Sequence, residues 1–534
     1  MSRRPNFLLF ITDQQRADHL GCYGNPVLRT PHIDGIAARG SRFERFYVAC
    51  AICMPNRATL MTGRMPSLHG VRYNGVPLSL DAVTFVDLLR AAGYRTSLIG
   101  KSHLQNFGDG PGPRETWKNP NGGEAPPEEL LDAVRTDRRR GRPYDSEWTP
   151  YWLADESYDV KTPFYGFDHV RLCTYHGDRV HGHYTRWLEA RHPGSAALRG
   201  ADNAEPDPRY MAPQAYRTRV PEELYPTSYI ADMTCDYLED HARAGGDAPF
   251  FIQCSFPDPH HPFTPPGRYW DMYDPADIPL PPSFGQNDLP PMVAALHEAT
   301  RRGAIDRSWV RPFAVSEREA REIIALTYGM IAMIDDAVGR VLAKLQALGL
   351  DRDTVVIFTS DHGDWMGDHG IMLKGPIHYQ GLIRVPFLWA DPATRTLRPR
   401  VDALSGTVDI ASTVLDRAGL APFNGIQGES LLGAMRGEAI AGRRGMMVEQ
   451  EAQVPNFGLS QPPRVRTLVT ERWRLSVWGG QDFGELYDLA SDPHEMTNLW
   501  ADPAHAAVKA ELLEQMVQEM IRLANRAPLP TAMA

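Results

Sequence analysis

Two short apolar runs, each ending in a carboxylate, constrain the fold of this chain more than any other feature. The run at 7–12 leads into Asp13 and Gln14, and the run at 354–360 leads into Asp361 and His362. Apolar runs without alternation are typical of parallel strands that helices cover on both faces. Ligands of such sheets collect at the carboxyl ends of the strands. We therefore predict an α/β fold whose mostly parallel central sheet, flanked by helices, carries a site at this edge.

These four side chains also predict a metal site. Asp13, Gln14, Asp361 and His362 would offer oxygen and nitrogen ligands from two strand ends to one divalent cation. The oxygen-rich set favours calcium, whereas the histidine and the amide also permit manganese or magnesium. Asp368 and His369 are expected to support the surrounding structure, because the metal is already supplied with ligands.

A cysteine at a predicted helix start is the next notable feature. In the segment Cys53-Met54-Pro55-Asn56-Arg57, Pro55 suits a first helical turn, where its missing N–H is not needed. Cys53 would lie at the positive end of the helix dipole, and Arg57 one turn on could reach back towards it. This environment predicts an activated sulfur, the alternative being an inert buried cysteine.

The remaining pattern divides the chain into a catalytic domain, 1–440, and a small C-terminal domain, 441–534. In the first domain, helices are predicted at 84–92, 227–244 and 408–418, strands at 95–99, 250–256 and 384–390, and one long helix after the capping box of Ser316 and Glu319. Two irregular insertions, about 104–226 and 281–312, interrupt it. The first is rich in aromatic residues, and we expect it to be ordered, to border the pocket and to shape either the leaving-group site or an oligomer interface.

Short alternating stretches at 446–449, 464–470, 473–478 and 485–489 predict an antiparallel sheet with one solvated face, closed by a helix at 504–524.

The composition argues against several classes of protein. A net charge of −10 argues against a nucleic-acid partner. Six scattered cysteines fit neither a disulfide scaffold nor a zinc site, and the apolar run at 7–11 is too short for a signal peptide or a membrane span. We therefore expect a soluble, cytoplasmic protein without membrane contact.

Several motifs resemble those of one enzyme family. Cys-x-Pro-x-Arg at Cys53, continued by Leu-Met-Thr-Gly-Arg, resembles the signature of type I sulfatases, a branch of the alkaline phosphatase superfamily in which this cysteine is oxidised to formylglycine. Gly-Lys-x-His at Lys101, His-x-Pro-Phe at His260 and the run at 486–499 are also similar to sulfatase motifs. The resemblance implies an alkaline-phosphatase-like fold and spans nearly the whole chain.

It also implies roles for individual residues. Cys53 would become the nucleophilic formylglycine and contact the metal together with Asp13, Gln14, Asp361 and His362. Arg57, Lys101 and Lys374 would hold the anion. His260 would act on the leaving oxygen, with His261 as the alternative, and His103 would be the base that releases the product. Substrate contacts are implied for Asn74, Lys101, His260 and Lys374.

The implied reaction is formylglycine- and metal-dependent hydrolysis of aryl or alkyl sulfate monoesters through a covalent sulfo-enzyme hemiacetal. Gln14 stands where many arylsulfatases have a second aspartate, and in this it resembles phosphonate monoester hydrolases and choline sulfatases. The phosphonate enzymes, however, tend to have tyrosine where this chain has Lys101. The alternative is therefore a phosphonate monoester hydrolase or phosphodiesterase that uses the same site, and promiscuity between these esters is expected.

Other classes and partners follow from the same considerations. A metal-binding lectin-like or structural protein that has lost turnover is the alternative outside catalysis. The expected partners are a small-molecule sulfate or phosphonate ester, a formylglycine-generating enzyme during maturation, and further copies of the chain in a homo-dimer or homo-tetramer.

Overall fold

The structure is a computed structural model that describes residues 4–108, 127, 139, 141–245, 248–308, 310–394, 397–440 and 442–533. Its strands are β1 (Asn6–Thr12), β2 (Ser41–Phe43), β3 (Phe46–Tyr47), β4 (Arg95–Lys101), β5 (His169–Thr174), β6 (His181–Gly182), β7 (Phe250–Ser255), β8 (Phe313–Ala314), β9 (Thr354–Ser360), β10 (Ile371–Met372), β11 (Phe387–Ala390), β12 (Arg400–Val401), β13 (Ser405–Gly406), β14 (Met446–Glu451), β15 (Arg464–Val469), β16 (Trp473–Trp478) and β17 (Gly484–Asp488).

The helices are α1 (Pro31–Ala38), α2 (Cys53–Thr62), α3 (Pro66–His69), α4 (Phe85–Ala91), α5 (Thr149–Ala154), α6 (His183–Arg191), α7 (Pro226–Arg243), α8 (Pro291–Arg301), α9 (Glu317–Ala347), α10 (Gln380–Ile383), α11 (Ile410–Arg417), α12 (Leu432–Arg436) and α13 (Ala506–Arg522). The capping box predicted for α9 is present, since Ser316 and Glu319 exchange hydrogen bonds there. Within the described residues, each helix is too short or too polar to cross a bilayer.

A nine-stranded sheet forms the centre of the fold, in the order β12-β2-β11-β9-β1-β7-β4-β5-β6. The five strands from β9 to β5 are parallel, and antiparallel pairings occur towards both edges. Thr12 is paired with Ser360, so the residues that follow β1 and β9 emerge side by side. The predicted α/β class with a mostly parallel central sheet is confirmed.

The sequence of β1 shows why this sheet lies between two helical layers. Phe7, Leu9 and Ile11 belong to one apolar cluster, which includes residues of α2, α4 and α11. Leu8 and Phe10 belong to a second cluster, formed with α1, α7 and α9 on the other face. Because successive side chains of a strand point to opposite faces, a continuous apolar run fills both cores.

The C-terminal sheet, β14-β15-β16-β17, is antiparallel as predicted, but the prediction of a solvated face is wrong. All residues of β17 are buried, and Arg474 of β16 is completely buried in an ion pair with Glu495. One face packs against α13, and apolar residues of β15 and β16 lie in the same cluster as those of β1. The sheet therefore shares a core with the larger part of the chain.

Both segments predicted to be irregular contain regular structure among their described residues. The first holds α5, β5, β6 and α6, and β5 is a parallel strand of the central sheet. The second holds α8. In β5, the half-buried residues His169 and Arg171 alternate with buried ones, so this strand near the sheet edge lacks the continuous apolar pattern of β1. Trp117, one of the aromatic residues of the first segment, lies outside the described residues.

Candidate active site

Asp13 and Asp361 form the base of a buried site at the carboxyl end of the central sheet. Each follows its strand directly, and the backbone N–H of Asp361 donates to Thr12 O over 3.1 Å. The N–H of Gln14 donates to Asp361 Oδ1, also over 3.1 Å. These bonds extend the ladder between β1 and β9 by a residue, which fixes both carboxylates next to each other.

Cys53 is the first residue of α2 and is 1% exposed. Its Sγ lies 2.9 Å from Lys374 Nζ, 3.1 Å from His362 Nε2 and 3.8 Å from Asp13 Oδ1. Burial and Asp13 oppose ionisation of the thiol, but the surrounding cations, Lys374 first among them, hold the pKa of Cys53 below its usual value. The sequence-based prediction of an activated sulfur agrees with this environment.

Contacts with other segments of the chain hold the N-terminus of α2. The N-cap residue, Ile52, has no side-chain oxygen, and Asn74 Oδ1 instead accepts a hydrogen bond of 3.0 Å from Met54 N. Asn56 Nδ2 donates to Asp361 O over 2.5 Å. Asn74, predicted as a substrate contact, is thus placed as a remote cap of the helix that carries Cys53.

The buried donor set fits a hard divalent cation. One ligand atom from each of Asp13, Cys53, Asp361 and His362 lies within 4.8 Å of all the others. Gln14 could add an amide oxygen, because its Nε2 donates to Asp364 Oδ2 over 2.5 Å while its buried Oε1 has no hydrogen-bond partner among the described residues. Carboxylate and amide oxygens with one imidazole suit calcium, manganese or magnesium.

Arg57 contacts the carboxylates of the predicted metal site. Its Nε donates to Asp361 Oδ2 over 2.7 Å, and one Nη lies 3.5 Å from Asp13 Oδ2. The other Nη donates to Lys101 O and Ser255 Oγ, each over 3.1 Å. Through these four hydrogen bonds Arg57 orients the two carboxylates and the ends of two strands, and its role in holding the anion stays a prediction.

Two buried lysines supply the positive charge of the pocket. Lys101 Nζ contacts Asp13 Oδ2 and lies 2.6 Å from His176 Nε2. Lys374 Nζ lies within 3.0 Å of Cys53 Sγ and His260 Nε2. Although burial opposes it, the negative charges of Cys53 and Asp13 raise the pKa of Lys374, so its ammonium remains charged.

The two adjacent histidines after β7 have different surroundings. His260 Nε2 accepts from Lys374 Nζ over 3.0 Å, and its Nδ1 lies 2.7 Å from the carbonyl oxygen of His261. His261 Nδ1 lies 3.3 Å from Gln14 Nε2, so this ring supports a predicted metal ligand. Burial, with the charges of neighbouring histidines and Lys374, holds the pKa of His260 well below its usual value.

His103 lies at the side of the pocket. Its backbone has φ 57°, its N–H donates to Glu147 Oε2 over 2.7 Å, and its ring stacks on Phe107 with 3.7 Å between centroids. In the part of the chain that the structure describes, the ring makes no hydrogen bond to Cys53, and its buried Nδ1 has no partner.

Sequence reasoning missed His176, whose Nε2 also lies 3.8 Å from Asp13 Oδ2. It is the second residue after β5, at the same sheet edge as Lys101. Recognition of β5 as a strand would have drawn attention to His176, because polar residues just beyond a strand end are candidates for the site.

Asp368 and His369 lie in structural contacts, which agrees with the expectation that they support the surrounding structure. Asp368 pairs with Arg16, and His369 Nδ1 lies 2.9 Å from Gln286 Oε1.

Comparison with known proteins adds independent information. The family model Sulfatase matches residues 5–420, and the model N-sulphoglucosamine sulphohydrolase, C-terminal, matches 367–522. The chain is 29% identical over 529 residues to the uncharacterized sulfatase YidJ of Escherichia coli K12, covering 98% of this chain and 88% of that protein. It is 28% identical to an arylsulfatase of Clostridium perfringens over 502 residues, with 93% and 90% covered. Among solved structures, the phosphonate monoester hydrolase of Agrobacterium radiobacter superposes with a TM-score of 0.76 at 26% identity, covering 99% and 98% of the two chains.

Proposed function

The chain belongs to the sulfatase family, as its motifs predict, and we propose that it hydrolyses sulfate monoesters with a formylglycine made from Cys53. The surroundings of Cys53 carry this proposal. Its side chain lies at a helix N-terminus, beside Lys374 and between the groups of the candidate metal site. The hydrated aldehyde would supply the attacking hydroxyl, and its second hydroxyl would allow the sulfate to leave by C–O cleavage.

Maturation of Cys53 would have to precede folding. Cys53, Pro55 and Arg57, the residues of the signature, are all buried in the folded chain. A formylglycine-generating enzyme that reads these three side chains could reach them only in an unfolded chain. The protein partner proposed here is therefore met during synthesis.

The candidate metal site would hold one divalent cation between Asp13, Gln14, Asp361 and His362, with calcium as the first choice. When bound, this ion would lower the pKa of a hydroxyl on residue 53 and offset charge on the ester oxygens. Arg57 keeps Asp13 and Asp361 in position by donating a hydrogen bond to each carboxylate.

Lys101 and Lys374 would bind the sulfate group. Both ammonium groups are buried, where a charge-assisted hydrogen bond to an anion is stronger than in water. An ammonium group has three N–H donors, and Lys101 uses two of them on Asp13 and His176, so the third remains for an ester oxygen.

The leaving oxygen needs one proton. His260 Nδ1 faces a carbonyl oxygen, so the proton of the neutral ring resides on Nδ1 and Nε2 accepts from Lys374. Lys374 Nζ would therefore donate the proton that the alkoxide or phenoxide takes up, with His260 Nε2 orienting the ammonium group, and the proton released by the attacking hydroxyl of residue 53 would restore it.

A phosphonate monoester hydrolase or phosphodiesterase is the second candidate. Gln14 leaves this site with two carboxylates, so a bound cation is less neutralised and more attractive to anions. The similarity to the Agrobacterium radiobacter phosphonate monoester hydrolase also supports it. Lys101 favours the sulfate ester, because the phosphonate enzymes tend to have tyrosine at this position. We therefore propose activity on both classes of ester, with sulfate preferred.

Peptide mass spectrometry tests the modification. The tryptic peptide 46–57 contains both Cys53 and Cys50, so the buried Cys50 serves as an internal control. Protein from the native host should carry an aldehyde in place of the thiol at residue 53 and an intact thiol at residue 50. A thiol at both positions would refute the formylglycine mechanism.

Rates on an aryl sulfate and an aryl phosphonate with the same phenol then test the substrate class. We expect the sulfate ester to be hydrolysed faster. A much faster phosphonate reaction would replace the first candidate by the second.

A further inference from the structure

We propose that His176 is a positioning residue of the site, which holds His260 and Lys101 in one fixed arrangement, and this role rests on the ester hydrolysis proposed above. His176 connects the group near the leaving oxygen with a lysine that binds the anion. Neither the motifs nor the local pattern of the sequence drew attention to it.

The ring of His260 is clamped on both faces. His176 stacks on one face with 3.5 Å between centroids and 9° between planes. His261 stacks on the other face at 3.9 Å and 30°. Because both faces are covered, the ring of His260 can offer only its edge, where Nε2 meets Lys374. Removal of His176 would free one face and let the ring tilt away from Lys374.

The side chain of His176 also positions Lys101. Its Nε2 lies 2.6 Å from Lys101 Nζ, so this nitrogen accepts a hydrogen bond from the ammonium group. Together with Asp13, this contact engages two of the three N–H groups of Lys101, and the third has no hydrogen-bond partner among the residues that the structure describes. His176 therefore determines where the lysine can point its remaining donor.

The turn that carries His176 is itself packed onto the segment after His260. Tyr175 and Gly177, on either side, have φ of 62° and 54°. A Cβ on Gly177 would lie 3.0 Å from Thr264 Oγ1 and 3.1 Å from Pro262 Cγ, so the close approach requires glycine there. Because the turn at 175–177 packs directly on the segment at 262–264, a shift of either one would displace the other.

A second metal ion would not explain this cluster better. One ligand atom each of Asp13, His176 and His260 lies within 4.8 Å of the others. However, Lys101 Nζ and Lys374 Nζ lie within 3.0 Å of the two histidine nitrogens, so ammonium groups already provide the positive charge. The histidines act as acceptors for lysines.

The test separates the two contacts of His176 with two variants. His176→Phe keeps a flat ring for stacking and loses the nitrogen, whereas His176→Gln keeps a polar atom of similar reach and loses the ring. Both are assayed with a series of aryl sulfates whose phenols range from acidic to weakly acidic. Binding of inorganic sulfate is measured by calorimetry as a readout that does not depend on turnover.

For His176→Gln we expect kcat/KM to fall by about 10-fold with an acidic phenol and by about 100-fold with a weakly acidic one, because proton delivery to the leaving oxygen is impaired. For His176→Phe we expect a leaving-group dependence like that of the wild type and roughly 10-fold weaker sulfate binding. His192→Ala, at an exposed histidine, should match the wild type in both assays.

An equal loss on every phenol, with unchanged sulfate binding, would show a merely structural role and overturn the proposal, as would wild-type behaviour of both variants. If the wild type hydrolyses aryl phosphonates and not aryl sulfates, the proposed sulfatase function fails separately. The same expectations then apply to a phosphonate series and to binding of inorganic phosphate.

Discussion

Lys374 Nζ lies 2.9 Å from Cys53 Sγ, although 321 positions separate the two residues in the chain. The contact joins the loop after β10 to the first turn of α2, and Nε2 of His260 and Nε2 of His362 each lie 3.0 Å from the same ammonium group. Lys374 therefore contacts the residue proposed to be modified, the histidine proposed to act on the leaving oxygen, and a residue of the candidate metal site.

Replacement of Lys374 by methionine should lower kcat/KM for an aryl sulfate by about 10²- to 10³-fold, because a preorganised buried cation next to the reacting group is lost. The measurement is steady-state kinetics on protein whose aldehyde content at residue 53 has been checked. Lys161→Met, at an exposed lysine, is the control and should be as active as the wild type. A loss smaller than about threefold in Lys374→Met would exclude this role.

Asn74→Ala should destabilise the protein by about 1 kcal/mol, because Met54 N at the start of α2 would lose its acceptor. Chemical denaturation measures this free energy of unfolding, and Asn287→Ala, at an exposed asparagine, is the control. If kcat/KM falls while stability is unchanged, Asn74 acts on the substrate as predicted from the sequence and not as a cap.

The residues of the candidate metal site could be brought together from the sequence because the information is local. Asp13 and Asp361 each follow an unbroken apolar strand, and parallel strands end at one edge of a sheet. The cysteine at a helix start was equally visible, since Pro55 and the following residues suit a first turn. In these cases the function of a residue follows from the element that it directly borders.

The parts that the sequence did not reveal depend on contacts between distant segments. The partners of Arg57 come from the ends of β1, β4, β7 and β9, and no local pattern predicts these four hydrogen bonds. His176 was missed because two half-buried residues interrupt the apolar pattern of β5, so the strand that precedes His176 was not recognised. The solvated face predicted for the C-terminal sheet was wrong because α13 and the main core cover both sides.

Removal of divalent cations should abolish activity and lower the melting temperature. Without a cation, the buried carboxylates of Asp13 and Asp361 depend on the charges of Arg57 and Lys101, and binding of an ion to the native state adds stability. The protein is treated with a chelator, dialysed, and refilled with calcium, manganese or magnesium while activity and melting temperature are followed. Calcium should restore both. Full activity of the stripped protein would exclude a metal role.

Glu147→Gln should make stability less dependent on pH. The carboxyl of Glu147 is completely buried. It accepts hydrogen bonds of 2.7 to 2.9 Å from the backbone N–H groups of His103, Leu104 and Gln105, and thereby shapes the loop after Lys101. Burial outweighs these bonds and raises the pKa of Glu147 from 4.5 to about 7. Between these values the unfolded chain is ionised while the folded one still holds its proton, so rising pH favours unfolding.

In the wild type, the free energy of unfolding should therefore fall by about 3 kcal/mol more than in Glu147→Gln when the pH rises from 4.5 to 7.5. Denaturant titrations at several pH values measure this difference, in which the other buried carboxyl groups cancel because both proteins contain them. Glu156→Gln, at an exposed glutamate, should follow the wild type. Parallel pH profiles of the wild type and Glu147→Gln would mean that the carboxylate is ionised in the fold and held by its three N–H donors.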